Sequence, residues 1–582
     1  MPSKIAKKVD FHISQLYYQT YMASWNSQTA TNILERPAQA PPKNVQYGRA
    51  ASTMRIGDAF SLFANPEPDS DRVITLIAPP VFFSKNSYST PLTLPLGLAY
   101  LAAALEKAAY KVKIIDCRGA DADNVRLTPD GRFNMQGMDI KKSIKAIDPK
   151  TDIIGVSIMF SQEWPQVRDY IKQIREAFPD ASIIVGGEHP TAMPEYSLRD
   201  CPAIDYVVRG EGELTLLDVV HRLRTGSVVE EVAGVCYLAN NVFIETSISA
   251  RMADIKEMPR PAWHLIDVEP YFQPNFTMGI SHGRNMAMLA TRGCPYQCTF
   301  CSSPSMWTTR YVMRPVSDVV DEIEDHIKEF GANSIDFYDL TAIVKRDWII
   351  QFIAELDRRN LNITWQLPSG TRSESLDEEV IQGLARTGCE YLVYAPESGS
   401  KRTLEMIKKR VNLDNLEKSI RIAVKNGIIT KVNFIIGFPF ETRREILETL
   451  RFVLKLALIK VDDCNITMFS PYPGSELFRE LYEEGAIGEI DDEYFALLMT
   501  QFDFTIARTF CRAVNPWEIV LYRVAGMSLF YGLSYLRAPG KIVRLITSVF
   551  RSRFQPHSLF EQRIFDFAVR ARRTLLEKKA AS

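Results

Sequence analysis

The chain has 582 residues, 46% hydrophobic and 24% charged, with 69 Lys and Arg against 70 Asp and Glu. That length exceeds what one hydrophobic core usually serves, so two or three domains are expected. The composition is globular and excludes collagen, a disordered chain and a small disulfide scaffold. A formal net charge of -1 argues against nucleic-acid binding driven by overall charge. Nine cysteines are too few, and odd in number, for a disulfide framework. The opening MPSKIAKKVDFHISQLYYQTYMASW has no continuous apolar run and no small-residue cleavage site. A cytoplasmic, reducing setting is expected, where clustered cysteines bind metal more often than they pair.

Residues 1–70 read as a polar extension. From Arg72 the pattern changes. RVITLIAPP is a buried strand running into a loop, LPLGLAYLAAALEKAAY is helical, and KVKIIDC, DIIGVSIM, SIIVGG and IDYVVRG are further strands. The stretches WPQVRDYIKQIREAF and PEYSLRD separate them as helices. This alternation predicts a doubly wound, Rossmann-like α/β domain over 71–225, with ligands at the carboxyl ends of its strands. The loops there carry Pro79, Pro80, Asp116, Cys117, Arg118, Ser157, Gly186, Gly187, Gly210, Glu211, Gly212 and Glu213. Residues 226–285 are expected to be a linker with short strands, VAGVCYLA and NVFIETS, and the proline-marked EMPRPAWHLI.

A second βα series starts at the strand AMLAT. VSDVVDEIEDHIKEF is an amphipathic helix with Val316, Val319, Val320, Ile323, Ile327 and Phe330 on one face. SIDFYDL, NITWQL, EYLVYAPE, KVNFIIGFP and NITMFSPYP continue as strands. About six such units predict a partial (β/α)6 barrel over 286–475, its chemistry at the carboxyl-end loops. Residues 476–582 form a helical C-terminal region. Its most apolar run, Ile519 to Leu536, contains Arg523, Gly526 and Gly532, and predicts a buried or interfacial helix rather than a spanning one.

Arg292-Gly293-Cys294-Pro295-Tyr296-Gln297-Cys298-Thr299-Phe300-Cys301 places three thiols in eight residues directly after a strand. Structural zinc normally takes four protein ligands, and no fourth Cys or His follows at finger spacing. A [4Fe-4S] cluster held by three cysteines keeps one iron open to a small chelating molecule. Three structural cysteines, or a zinc site completed by a distant residue, are the competing readings.

The CxxxCxxC loop opening a βα barrel resembles the radical S-adenosylmethionine (SAM) superfamily over about residues 286–475. The resemblance implies that Cys294, Cys298 and Cys301 hold a [4Fe-4S] cluster and that SAM chelates the fourth iron. It also implies reductive cleavage of SAM to a 5′-deoxyadenosyl radical, fed by an electron donor such as flavodoxin or ferredoxin. Phe300 matches the apolar position near the adenine. Asp339 lies where the family places groups near the SAM amino end, although its glycine-rich GGE-type motif is absent here. Glu397 and Ser398 in APESGS match ribose contacts, Gly437 in NFIIGFP matches the glycine beside adenine, and Arg372 is a candidate polar contact to SAM.

The run LPLGLAYLAAALEKAAYKVKIIDC, DIIGVS, IIVGGEHPT and IDYVVRGEGE is similar to the cobalamin-binding domain of cobalamin-dependent radical SAM enzymes. The resemblance implies cobalamin near Asp116, Ser157, Gly186, Gly187, Gly210 and Glu211. The DxHxxG motif that supplies a cobalt-binding histidine elsewhere is broken: in the register from Asp116, Arg118 replaces the histidine and Asp121 the glycine. Base-off cobalamin without a histidine ligand is therefore expected, with His189 packing or touching the nucleotide tail. The implied activity is radical C-methylation of an unactivated carbon. The alternatives are an oxidative cyclase, hydroxylating or rearranging enzyme of the tetrapyrrole type, or a non-catalytic corrinoid or redox sensor. From Arg537 to Ser582, eleven Lys or Arg face three Asp or Glu. That balance fits a helix capping the barrel with its basic face in water, the favoured reading, or peripheral membrane contact, which would go with a lipidic or isoprenoid small-molecule substrate.

Overall fold

The computed structural model describes residues 56–86, 92–249, 251–252, 254–273, 277–501, 503, 508–543, 547, 558 and 560–561. Most of the expected N-terminal extension, and most of the basic segment beyond Val543, lie outside the described residues.

The first sheet is built from β1 (Val73–Ala78), β2 (Val112–Asp116), β3 (Thr151–Ser157), β4 (Ser182–Gly186), β5 (Tyr206–Val208), β6 (Val235–Ala239) and β7 (Val242–Glu245). Their order across the sheet is β7-β6-β5-β4-β3-β1-β2. The first five strands are parallel, in the doubly wound order 2-1-3-4-5. Every residue of β1 is buried, as a strand covered on both faces requires. The covers include α1 (Leu96–Lys107), α2 (Trp164–Ala177) and α3 (Gly212–Thr225). Helix α2 buries Val167, Tyr170, Ile171 and Ile174 along one stripe, and α3 stops at Gly226, which takes the left-handed conformation with φ 68°.

Strands β6 and β7 fall in the stretch expected to be a linker. They instead extend the first sheet, pairing antiparallel on the edge of β5. A hairpin closes that edge because strands of this length need only a turn, here Asn240 and Asn241 at positive φ, to fold back.

The second sheet runs in chain order, all parallel: β8 (Asn285–Met288), β9 (Ser334–Phe337), β10 (Thr364–Thr371), β11 (Cys389–Glu397), β12 (Ile429–Ile436) and β13 (Asp463–Met468). Six strands without closure make the partial barrel. The crossover helices are α4 (Val316–Phe330), α5 (Arg346–Arg359), α6 (Glu378–Arg386), α7 (Leu413–Lys425) and α8 (Arg443–Leu458), and α9 (Pro516–Arg537) follows in the C-terminal region. Helix α4 buries Val319, Val320 and Ile323 and ends at Gly331.

Within Gly48–Ser582 the described elements form one compact unit. One apolar cluster joins Trp164, Ile183 and Val185 of the first sheet layer to Phe438, Phe469 and Phe495 further along the chain. Fully burying side chains of this size contributes about 1.5–3 kcal/mol each, so the first sheet layer shares a core with the segments that follow β12 and β13.

Candidate active site

The cysteine loop is closed at its base. Thr291 and Arg292 pair antiparallel with Met313 and Val312, so the three cysteines lie within a hairpin leaving β8. Gly293 has φ +84°, and a Cβ there would sit 2.2 Å from the Arg310 carbonyl oxygen, so only glycine passes between Arg292 and Cys294. Asp339 anchors the same point from below. Its carboxylate accepts from the Ala290 amide at 3.1 Å and from both the amide and hydroxyl of Thr291. Burial pushes this carboxyl up to about 6 against those donors. Asp339, expected near the SAM amino end, is thus occupied in holding the backbone that launches the cysteine loop.

Cys294, Cys298 and Cys301 are partly accessible, whereas the other six cysteines are buried, and all nine are free. Burial raises the Cys298 thiol, and the cations of Lys409 and Arg372 oppose it. Burial pushes Cys301 up to about 11. Among the described residues no three His, Cys, Asp or Glu side chains converge on one metal position. The fit to a cluster therefore rests on donor chemistry: three soft ligands on one loop, with two cations beside them to offset thiolate charge.

The barrel's strand ends surround that loop. Glu397 closes β11 at φ +68°, a left-handed conformation costly for a non-glycine residue, and accepts from Lys409 Nζ at 2.9 Å. The Arg372 guanidinium lies 3.4 Å over the Tyr296 ring and donates to the Arg410 carbonyl at 2.8 Å. Phe300 packs its ring 5.8 Å from Phe438. Gly437, at φ +88°, donates its amide to Glu441 at 2.7 Å, and the Phe438 amide donates to the same oxygen at 3.1 Å. Ser398 is buried, sharing a 2.9 Å hydrogen bond with the Thr449 hydroxyl. It fixes the turn after β11 from inside rather than from the loop surface.

At the carboxyl edge of the first sheet, Ser157 pairs with Gly186 at the ends of β3 and β4. Gly187 follows at φ +118°, where a Cβ would approach the Ile158 carbonyl oxygen to 2.4 Å. Met159 and Phe160 remain exposed just beyond β3. Side-chain-free backbone beside two exposed apolar side chains suits the broad face of a corrinoid, so this edge fits cobalamin. Asp116 is less available, because its carboxylate accepts from the Tyr271 hydroxyl at 2.7 Å. Arg118, in the place of the missing histidine, is buried and donates to the Pro79 carbonyl at 3.2 Å. His189 is buried between Ser161, at 3.0 Å, and the Trp164 ring, and burial drops its pKa to about 3. It packs.

The two edges adjoin. Glu188, after Gly187, accepts from the Ser302 hydroxyl, one residue past Cys301. The Tyr472 hydroxyl accepts from the Ser161 amide at 3.0 Å and donates to Gln162. Gly210 takes φ +70° and donates to Thr191 at 3.0 Å. Glu211 faces the barrel: its carboxylate lies 3.3 Å from Arg292 and 3.4 Å from Arg251, and it accepts from the Met252 amide at 2.9 Å. Glu213 pairs with Arg292 at 2.7 Å. Sequence reasoning placed Glu211 at the corrinoid and missed Glu188, Glu213, Arg292 and Tyr472 as links. The two acids in RGEGE, and an arginine directly before Gly-Cys, were the available signals.

Two family models match the chain, the B12 binding domain over residues 89–220 and the radical SAM superfamily over 288–453. An uncharacterized methyltransferase, PH0819 of Pyrococcus horikoshii, is 32% identical over 387 residues, 66% of this chain and 78% of the relative. The cytidylyl-2-hydroxyethylphosphonate methyltransferase of Streptomyces wedmorensis is 28% identical over 77% of this chain and 88% of its own length. The anaerobic magnesium-protoporphyrin IX monomethyl ester cyclase of Rubrivivax gelatinosus is 27% identical, over 69% of this chain and 68% of its own. Among solved structures, the cobalamin-dependent SAM radical enzyme OxsB superimposes with TM-score 0.60 and 17% identity, covering 83% of this chain and 69% of that one. The radical SAM methyltransferase TsrM of Kitasatospora setae gives TM-score 0.56 and 19% identity, covering 72% and 80%. These two show a shared fold.

Proposed function

The chain belongs to the cobalamin-dependent radical SAM enzymes, and from that premise we propose that it is a C-methyltransferase acting on an unactivated carbon of a small, lipidic or isoprenoid molecule. When bound, the cluster with SAM supplies a hydrogen-abstracting 5′-deoxyadenosyl radical, and cobalamin supplies the methyl group. The observation that carries the reading is the junction itself: Ser302 with Glu188, and Arg292 with Glu211 and Glu213, set the cysteine loop against the corrinoid-facing edge. A substrate seated at that junction meets both reactive centres.

The chain's own residues prepare the site. Cys294, Cys298 and Cys301 would hold the cluster, and Lys409 and Arg372, whose cations act on Cys298, would offset its negative charge. Asp339 fixes Ala290 and Thr291, so the loop leaves β8 from a set point. Glu397, strained at φ +68° and paired with Lys409, would offer its second carboxylate oxygen to the ribose hydroxyls of SAM. Phe300 and the left-handed Gly437 give the adenine an apolar face and a close backbone. Ser157, Gly186, Gly187 and Gly210 would hold the corrinoid, their small side chains leaving the main chain open to it. With Arg118 in the histidine place of the DxHxxG register and His189 packed away, neither residue would supply cobalamin with a histidine ligand. The free thiols fit work in a reducing cytoplasm, with a flavodoxin or ferredoxin as electron source.

Two relatives named as methyltransferases support methyl transfer. The likeness to the magnesium-protoporphyrin cyclase supports a second reading, an oxidative, ring-forming reaction without methylation. Incubation of the reconstituted enzyme with methyl-deuterated SAM and native small-molecule extract tests the choice. A product heavier by an intact labelled methyl supports methylation, and a product that loses hydrogen without gaining label supports the oxidative reading.

A further inference from the structure

Helix α9 has two faces. One packs on α8 and β13 and buries Ile519, Arg523, Gly526, Phe530, Tyr531 and Ser534. The other exposes Trp517 (68%), Leu521 (63%), Val524, Leu529 and Leu536 (78%). An outer helix face in water ordinarily carries charge. Of the two charged residues between Trp517 and Leu536, Arg523 is buried and Glu518 is neutralised at the rim by an ion pair. Glu518 is held by Arg443 of α8, and Arg523 donates to the Ile466 carbonyl at 2.8 Å.

The neighbouring surface is cationic. The exposed positions along α8 include Arg444, Leu447, Arg451, Lys455 and Leu458, with Arg444 paired to Glu448 and Lys455 to Glu417, so the excess positive charge of this stripe is carried by Arg451. Arg537 at the end of α9 opens the sequence in which eleven Lys or Arg face three Asp or Glu. An apolar stripe headed by tryptophan and bordered by positive charge is the pattern of a helix lying in a membrane interface. The buried Arg523 and the contact with β13 keep the opposite face in protein, so α9 does not cross.

We propose that the exposed face of α9, flanked by the exposed cations of α8 and by Arg537 at its own end, docks on the surface of an anionic lipid bilayer. Acidic headgroups meet the cations, and Trp517, Leu521, Val524 and Leu536 enter the boundary between headgroups and acyl chains. This docking is independent of which reaction the site performs.

The test uses the full-length holoenzyme and vesicles of phosphatidylcholine alone or with phosphatidylglycerol. Sedimentation should bring the protein down with the anionic vesicles and leave it in solution with the neutral ones. Raising salt from about 0.1 M to about 0.5 M should weaken binding on the order of tenfold. Leu521→Glu and Arg451→Glu should each weaken it by a similar factor. Leu62→Glu, at an exposed leucine ahead of β1, should leave it unchanged. Trp517 fluorescence should be quenched by brominated acyl chains. Failure to bind anionic vesicles, or binding that Leu521→Glu leaves intact in a variant with wild-type circular dichroism, overturns the proposal. A concentration-dependent dimer dissolved by Leu521→Glu also overturns it, assigning the face to a second copy.

Discussion

Glu213 and Arg292 join the two halves of the site. Their charged atoms are 2.7 Å apart, and both side chains are almost wholly buried. Glu213 opens α3 beside the corrinoid-facing edge, and Arg292 stands two residues before the first cysteine of the loop. Burial alone would lower the Arg292 pKa, and Glu213 and Glu211 more than reverse that, holding the guanidinium charged. The aromatic ring of Tyr100 covers it 4.9 Å away.

Arg292→Met leaves the buried Glu213 carboxylate without its partner, while Glu211 keeps Arg251. Loss of one member of a buried pair typically costs about 3–5 kcal/mol. A clear fall in the urea midpoint is expected, and Glu213→Gln in the Arg292→Met background should recover part of it. Additive losses in that double variant would show that the two residues do not act as a pair.

Cys298→Ala should remove the iron–sulfur absorbance and abolish 5′-deoxyadenosine formation while cobalamin stays bound. Corrinoid absorbance measured in the same sample separates the two cofactors. Continued SAM cleavage by this variant would contradict the cluster assignment.

Asp339→Asn replaces an acceptor oxygen by an NH2 group and leaves one donor at Ala290 or Thr291 unpaired. A buried donor without a partner costs about 1–3 kcal/mol. Thermal unfolding should fall accordingly, and SAM cleavage should fall with it because the loop loses its anchor. Normal cleavage in a destabilised variant would reduce Asp339 to a fold residue.

Glu441 gives a pH signature. Burial raises its pKa from 4.5 to about 7, although the Gly437 and Phe438 amides and the Thr403 hydroxyl favour the charged form. The folded state therefore keeps this proton longer than the unfolded state does. The stabilisation is fully present below pH 4.5 and is lost as pH rises through about 7. Between those limits wild type should lose on the order of 3 kcal/mol more than Glu441→Gln. Parallel stability curves would contradict the assignment.

Much of this was legible in the sequence because it depends on local pattern. The all-buried β1 reads as an unbroken apolar run, the α4 stripe as a helical period, and CxxxCxxC as a chelating loop. The doubly wound sheet and the six-stranded partial barrel follow from such signals. What escaped is long-range pairing. Glu211 looked like a corrinoid contact because it sits at a strand end, yet Arg292, 81 residues on, holds its carboxylate. Asp339 looked like a SAM contact for the same reason, and its oxygens bond to backbone 48 and 49 residues earlier. Strands β6 and β7 were read as the short strands VAGVCYLA and NVFIETS, and only their place on the edge of β5 escaped, because pairing across an edge leaves no local pattern.

The central claim is that one turnover uses both edges of the junction. Anaerobic quantification of 5′-deoxyadenosine and S-adenosylhomocysteine, with reconstituted enzyme, cobalamin, reductant and native extract, tests it most directly. The account predicts near-equal, extract-dependent yields of the two. Deoxyadenosine without S-adenosylhomocysteine would contradict methyl transfer.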